Sequence, residues 1–137
     1  MILITGPTAS GKTSLSIQLA LHLGTCILSA DSRQCYREMN IGVAKPSQAE
    51  LECVPHYFIN SHSIHEEVNA AVFEQYALDT VENIFREQDT VVMTGGTGLY
   101  IKAFCEGLDA VPAIPAEQRQ AIVDEYREKG LEWLKET

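Results

Sequence analysis

Few stretches narrow a fold as much as Gly6-Pro7-Thr8-Ala9-Ser10-Gly11-Lys12-Thr13 following the apolar Ile2-Leu3-Ile4-Thr5. The pattern G-x-x-x-x-G-K-[ST], set between a short strand and an apolar-rich helix, predicts a phosphate-binding loop. Its glycines let the backbone turn tightly and bring amides against an anion, while the helix starting near Lys12 adds the positive end of its dipole. Lys12 is placed to reach terminal phosphates and the Thr13 hydroxyl to hold Mg²⁺. The motif leaves open which phosphate compound binds and what is done to it.

Downstream the pattern alternates. Leu15, Ile17, Leu19, Ala20 and Leu23 predict a helix apolar on most sides, closed by Gly24. Thr25-Cys26-Ile27-Leu28-Ser29 predicts a second, buried strand parallel to the first, which delivers Asp31-Ser32-Arg33-Gln34 to the ligand-binding edge of the sheet. Periodicity is weak over 39–68, where Ser47-x-x-Glu50 has capping-box spacing and His56-Tyr57-Phe58-Ile59 suits a short strand. Phe73, Ala77, Val81 and Ile84 predict a helix running to about Glu87. Thr90-Val91-Val92-Met93-Thr94 predicts a strand ending in Gly95-Gly96-Thr97-Gly98, with a helix over 99–106. Strand and helix in alternation give an α/β fold, a parallel sheet with flanking helices. Val111-Pro112-Ala113-Ile114-Pro115 reads as a linker, and Pro115 to Gly130 as one more helix. Three strong strands are few for such a sheet, so the chain is expected to be truncated.

Composition excludes little. No apolar run is long enough to span a bilayer, there is no signal segment, and the four cysteines lack metal-ligand spacing, so a cytoplasmic protein with reduced thiols is expected. The net charge of −9 argues against nucleic acid only until it is divided. Residues 1–62 carry four basic and four acidic side chains, and the acidity lies in the helical remainder.

A phosphoryl-transfer enzyme needs a second acid beside the Mg²⁺, commonly at a strand end. Met93 is followed by Thr94 and two glycines, whereas the second strand does lead to Asp31. Asp31 can serve as a general base or hold Mg²⁺ through water, or it can merely cap the turn that follows. Thr97 can bond a substrate or cap its helix. Arg33 and Arg37 suit a phosphate or plain solvent, and His56, His62 and His65 suit an ordinary surface or core.

Four segments in this order, over nearly the whole chain, carry a specific resemblance: residues 6–13, 29–36 (Ser-Ala-Asp-Ser-Arg-Gln-Cys-Tyr), 39–46 (Met-Asn-Ile-Gly-Val-Ala-Lys-Pro) and 95–103 (Gly-Gly-Thr-Gly-Leu-Tyr-Ile-Lys-Ala). The chain resembles the N-terminal half of tRNA dimethylallyltransferases. The resemblance implies a P-loop kinase-like fold that moves no phosphate. Gly6 and Thr8, Ala9, Ser10, Gly11, Lys12 and Thr13 would hold the diphosphate of dimethylallyl diphosphate with Mg²⁺. Asp31, with Thr97 beside it, would be catalytic and take the proton from the attacking exocyclic amine of an adenine 3′ to the anticodon. Asp31, Ser32, Arg33, Gln34, Thr97 and Arg119 match positions that contact tRNA. Residues 1–111 would then be a partial catalytic core and 112–137 the start of a helical tRNA-binding insertion, acting as a monomer off the membrane. Cys35 and Asn40 depart from the usual pattern, and the later Arg-rich segments are absent, so this piece alone is expected to be inactive. The alternatives are a small-molecule kinase using the loop for ATP, an adenylate dimethylallyltransferase, and a nucleotide-binding regulatory module.

Overall fold

The fold is that of a computed structural model, which describes residues 1–109 and 114–136. Four parallel strands, β1 (Ile2–Thr5), β2 (Ile27–Ser29), β3 (His56–Tyr57) and β4 (Val92–Gly95), form one sheet in the order β1-β4-β2-β3. The second strand therefore does not pair with the first. β4 lies between them, with Ile2 beside Val92 and Ile27 beside Val92 on its other side.

Helices flank both faces: α1 (Lys12–Leu23), α2 (Gln48–Cys53), α3 (Ala70–Ile84) and α4 (Gly98–Glu106). Strand alternation separates two cores. On one face Ile27, Val92 and Val54 pack under Ile17 and Ala20 of α1. On the other, Leu28, Val91 and Met93 meet Phe73, Ala77 and Val81 of α3 and Tyr100 of α4. Phe73 and Tyr100 stack at 4.6 Å between ring centres, and Phe58 meets Phe73 edge-on at 5.0 Å. Cys35, fully buried here, is a packing residue whose thiol burial pushes up to about 11.

The expected helices are present, with α2 carrying the complete Ser47–Glu50 capping box. Two expectations are amended. The 56–59 strand is only two residues long, because Phe58 and Asn60 adopt positive φ (60° and 52°) and turn the chain away. The first helix buries only Ser16, Ile17 and Ala20, while Leu15, Leu21 and Leu23 are exposed, since it covers a sheet whose β1 side is open. The 111–115 linker falls largely on residues outside those described. Beyond it α5 (Ala116–Glu136) buries no residue and is interrupted at Gly130, whose φ of 80° and ψ of −173° leave the helical region.

Candidate active site

The loop before α1 is shaped as the sequence predicts. Gly6 (φ 155°), Ala9 (φ 63°) and Gly11 (φ 83°) turn the backbone, and Gly11 caps α1 without any side chain. No protein acceptor takes the amides of Ala9, Ser10 or Gly11 among the described residues. A concave run of free amides at a helix N-terminus is an anion site. Lys12 Nζ folds back and donates to the Pro7 carbonyl, a contact an anion can displace. Ser16 Oγ donates to the Lys12 carbonyl at 2.7 Å, so this buried hydroxyl is satisfied. The Thr13 hydroxyl has no protein partner among the described residues and is available to a cation.

The loop opens onto a cavity of about 420 Å³ on the α1 face of the sheet, within the range of small-molecule sites. Its roof is Thr8 to Ser14 with Ser16, its floor Ile27, Ser29, Thr94 and Gly95, and its far wall Asp31, Gln34, Ala44, Pro46, Glu50, His56 and Ile59. The strand register explains the floor. Ile27, Val92 and His56 share one row of side chains, Ser29 and Thr94 the next, all pointing toward α1.

Asp31 is partly buried and uses its two oxygens differently. Oδ1 accepts from the backbone N–H groups of Arg33 (2.9 Å) and Gln34 (3.3 Å), so the capping role is real. Oδ2 has no protein partner among the described residues and remains free to act on a ligand. Thr97 is the N-cap residue of α4, but its side chain makes no capping hydrogen bond. Its Oγ1 accepts from Ser32 N–H at 3.0 Å, tying the glycine-rich turn to the Asp31 loop and leaving its own proton to donate elsewhere. Gly95 is required by packing: a Cβ there would stand 2.2 Å from the Ala30 carbonyl oxygen. That crowding keeps any side chain off Gly95 itself, and the cavity-facing side chain at this end of β4 is Thr94.

The remaining expected residues divide. Gln34 uses both ends of its amide inside the protein, accepting from Ser29 Oγ (3.1 Å) and donating to the Ala44 carbonyl (2.7 Å). Arg33 is exposed, with no partner for its guanidinium among the described residues, whereas Arg37 bonds the Ser61 carbonyl and pairs with Glu66. Arg119 lies on exposed α5, and no hydrogen bond or ion pair links its side chain to the cavity.

Two wall residues, His56 and Glu50, and one behind the wall, Lys45, were not among the expected site residues. His56 Nδ1 lies 2.7 Å from the Val54 carbonyl, which can only accept, so Nδ1 carries the proton and Nε2 is the acceptor of the neutral ring. Burial holds this imidazole below its ordinary range. The Ser47 hydroxyl and amide hold the Glu50 carboxyl below its own. Lys45 stands behind the wall, its Nζ donating to Tyr36 O (2.6 Å), Asn60 Oδ1 (2.7 Å) and Asn40 Oδ1 (3.4 Å). Lys45 was visible only as part of the 39–46 segment. A second hollow, about 540 Å³, lies under α3 among Tyr57, Tyr76, Asp79, Asn83 and Glu87. Its lining carries no cationic side chain and two acidic ones, Asp79 and Glu87.

The family model described as IPP transferase matches residues 34–137. The tRNA dimethylallyltransferase of Cytophaga hutchinsonii is 47% identical over 96% of this chain and 43% of its own length. The tRNA dimethylallyltransferase 1 of Bacteroides thetaiotaomicron is 43% identical over 98% of the chain and 44% of its own. Among solved structures, the tRNA delta(2)-isopentenylpyrophosphate transferase of Staphylococcus epidermidis superposes with a TM-score of 0.71 at 36% identity, over 93% of this chain and 41% of that one. A eukaryotic dimethylallyltransferase acting on tRNA superposes with a TM-score of 0.77 at 28% identity, over 88% and 31%. The chain thus spans less than half the length of the curated relatives it matches.

Proposed function

Because the chain belongs to the IPP transferase family, we propose that the whole protein transfers the dimethylallyl group from dimethylallyl diphosphate to the exocyclic amine of the adenine 3′ to the anticodon of a tRNA. One observation carries the reading: a nest of free amides, Lys12 and the free oxygen of Asp31 all face one cavity. A diphosphate seated on Ala9 to Thr13 meets hydrogen-bond donors before any charge is added, and Lys12 exchanges Pro7 for a phosphate oxygen. Asp31 Oδ2 accepts the proton as the amine nitrogen bonds to the allylic C1 and the C1–O bond breaks. The electron pair leaves with diphosphate, which the same donors stabilise.

Thr13 suits Mg²⁺ because its hydroxyl is unengaged among the described residues and it lines the cavity beside the run of free amides. When bound, the ion would supply charge neutralisation on the leaving group, with the Thr13 hydroxyl as the side chain that would hold it. Thr97 and Ser32 support the Asp31 loop, and Arg33 is offered to the RNA backbone. Residues 1–111 form the catalytic core and 112–137 begin a helical insertion that brings Arg119 to the tRNA. The described residues include no helix long and apolar enough to cross a membrane; that the whole protein acts as a monomer in the cytoplasm is part of the same proposal. A kinase is disfavoured because the cavity-facing side chain at the end of β4 is Thr94 rather than an acid.

The test is single-turnover transfer from dimethylallyl diphosphate to an anticodon stem-loop by the whole protein, with AMP as the competing acceptor and ATP-dependent phosphorylation as a control. Prenylated stem-loop alone is expected. Prenylated AMP would transfer the chain to the nucleotide prenyltransferases, and phosphorylation without prenylation would overturn the reading.

A further inference from the structure

We propose that Lys45 is a positioning residue of the site, closing a ring of hydrogen bonds that fixes the Asp31 turn against the far wall of the cavity. The kinetic consequence of that role rests on the prenyl-transfer reading above. A primary ammonium has three N–H groups to donate. Half-buried Lys45 places them on neutral oxygens of this chain: the Tyr36 carbonyl at 2.6 Å, Asn60 Oδ1 at 2.7 Å and, more loosely, Asn40 Oδ1 at 3.4 Å. No carboxylate pairs with it among the described residues. From Asn60 the ring continues through its backbone N–H to the Gln34 carbonyl at 3.0 Å. Gln34 Nε2 then donates to the Ala44 carbonyl at 2.7 Å, and Ala44 is joined to Lys45 by the next peptide bond.

Gln34 belongs to this ring and to the Asp31 turn at once, because its backbone N–H is one of the two donors on Asp31 Oδ1. Ser29 Oγ, on the cavity floor, holds the other end of its amide. Any slide of Asn60 or of the 44–46 wall therefore pulls on the residue that sets where Asp31 Oδ2 points. Asn60 itself has a left-handed φ of 52°, which Asn tolerates better than most residues and which its bonds to Lys45 and Gln34 hold in place. The other use for such a charge is to bind a phosphate. Against that use, the Lys45 donors are spent on the chain itself, and the side chain stands behind Ala44 and Pro46 rather than among the residues lining the cavity. Lys12 holds the phosphate-facing place instead.

The test uses the whole protein and two variants. Lys45→Met keeps an apolar stem and removes every donor, while Asn60→Gly removes one acceptor and keeps the positive φ accessible. Each should lower the single-turnover transfer rate, with both substrates saturating, by about tenfold or more. Each should bind inorganic diphosphate with wild-type affinity. Each should also shift the Arg33 and Gln34 amide signals in ¹H–¹⁵N spectra, because those amides sit on Asp31 Oδ1. Combined, the two substitutions should slow transfer scarcely further than the worse one alone, since they cut the same ring. A wild-type rate in Lys45→Met, or unmoved Arg33 and Gln34 signals, overturns the proposal. Weakened binding of inorganic diphosphate by Lys45→Met overturns it too, by making Lys45 a phosphate ligand. Should the wild-type protein transfer no prenyl group, the reading above falls, and the amide signals still decide the ring.

Discussion

Asp31 divides its work between two oxygens, one holding its own turn and one open to a ligand. Asn at this position keeps the turn-holding acceptor and loses the base. Asp31→Asn should therefore bind dimethylallyl diphosphate normally while single-turnover transfer falls by about 10²-fold or more; a wild-type rate would remove Asp31 as the base. Lys12 acts on the other reacting partner. Lys12→Ala should weaken diphosphate binding by about tenfold or more, the size of a lost charge-assisted hydrogen bond, and unchanged affinity in a titration would count against the cradle. Lys12 was legible in the loop motif and Asp31 in its place after the second apolar run, because both depend on local spacing. Gly95 reads in the sequence only as the end of a strand; in the fold it lines the cavity and is also where β4 presses on the Ala30 backbone. Neither backbone can retreat without breaking the bonds Ala30 makes to Thr94 and Thr97. Gly95→Ala should cost about 1–3 kcal/mol, seen as a lower midpoint in urea unfolding.

At the scale of elements, legibility followed the range of the interactions. The α2 capping box and the α3 stripe of Phe73, Ala77, Val81 and Ile84 depend on neighbours three or four residues apart, and both stand as their spacing predicts. Residues 39–68 looked irregular because their order comes from distant partners, Lys45 with Asn60 and Tyr36 bridged to His62. No local period records such contacts. The same region sets the acid response. His56 is held neutral by burial, so the unfolded chain binds its proton more readily, and stability falls as pH drops through the ordinary imidazole range. Glu50 is held ionised by Ser47, so further stability is lost as pH falls through the ordinary carboxylate range. Urea midpoints measured against pH should decline in both windows. His56→Gln should flatten the upper one, and an unchanged upper slope would show that another group governs it.

For the molecule as a whole, strand number and type were readable but strand order was not, since which strand β4 joins is decided by crossovers that leave no mark on the sequence. The consequence is visible in burial. β1 has the continuous apolar run of an interior strand, yet it stands at the sheet edge, with Ile2 and Leu3 38% and 37% exposed. Leu15, Leu21 and Leu23 of α1 are also uncovered, and so is Leu99 of α4. An apolar edge strand with its pairing groups free invites association. The 137-residue chain on its own should therefore bind an apolar dye and self-associate as its concentration rises. A lysine on the edge strand should oppose this, because a charge there is costly to bury against another copy. Leu3→Lys is the informative change: Leu3 shares the α3 and α4 face with Met93, and its side chain is already partly in water. Sedimentation of the wild-type chain and this variant over a concentration series, with circular dichroism to confirm the fold, decides the point. A wild-type chain that stays monomeric and binds no dye would mean that the β1 flank is protected in solution.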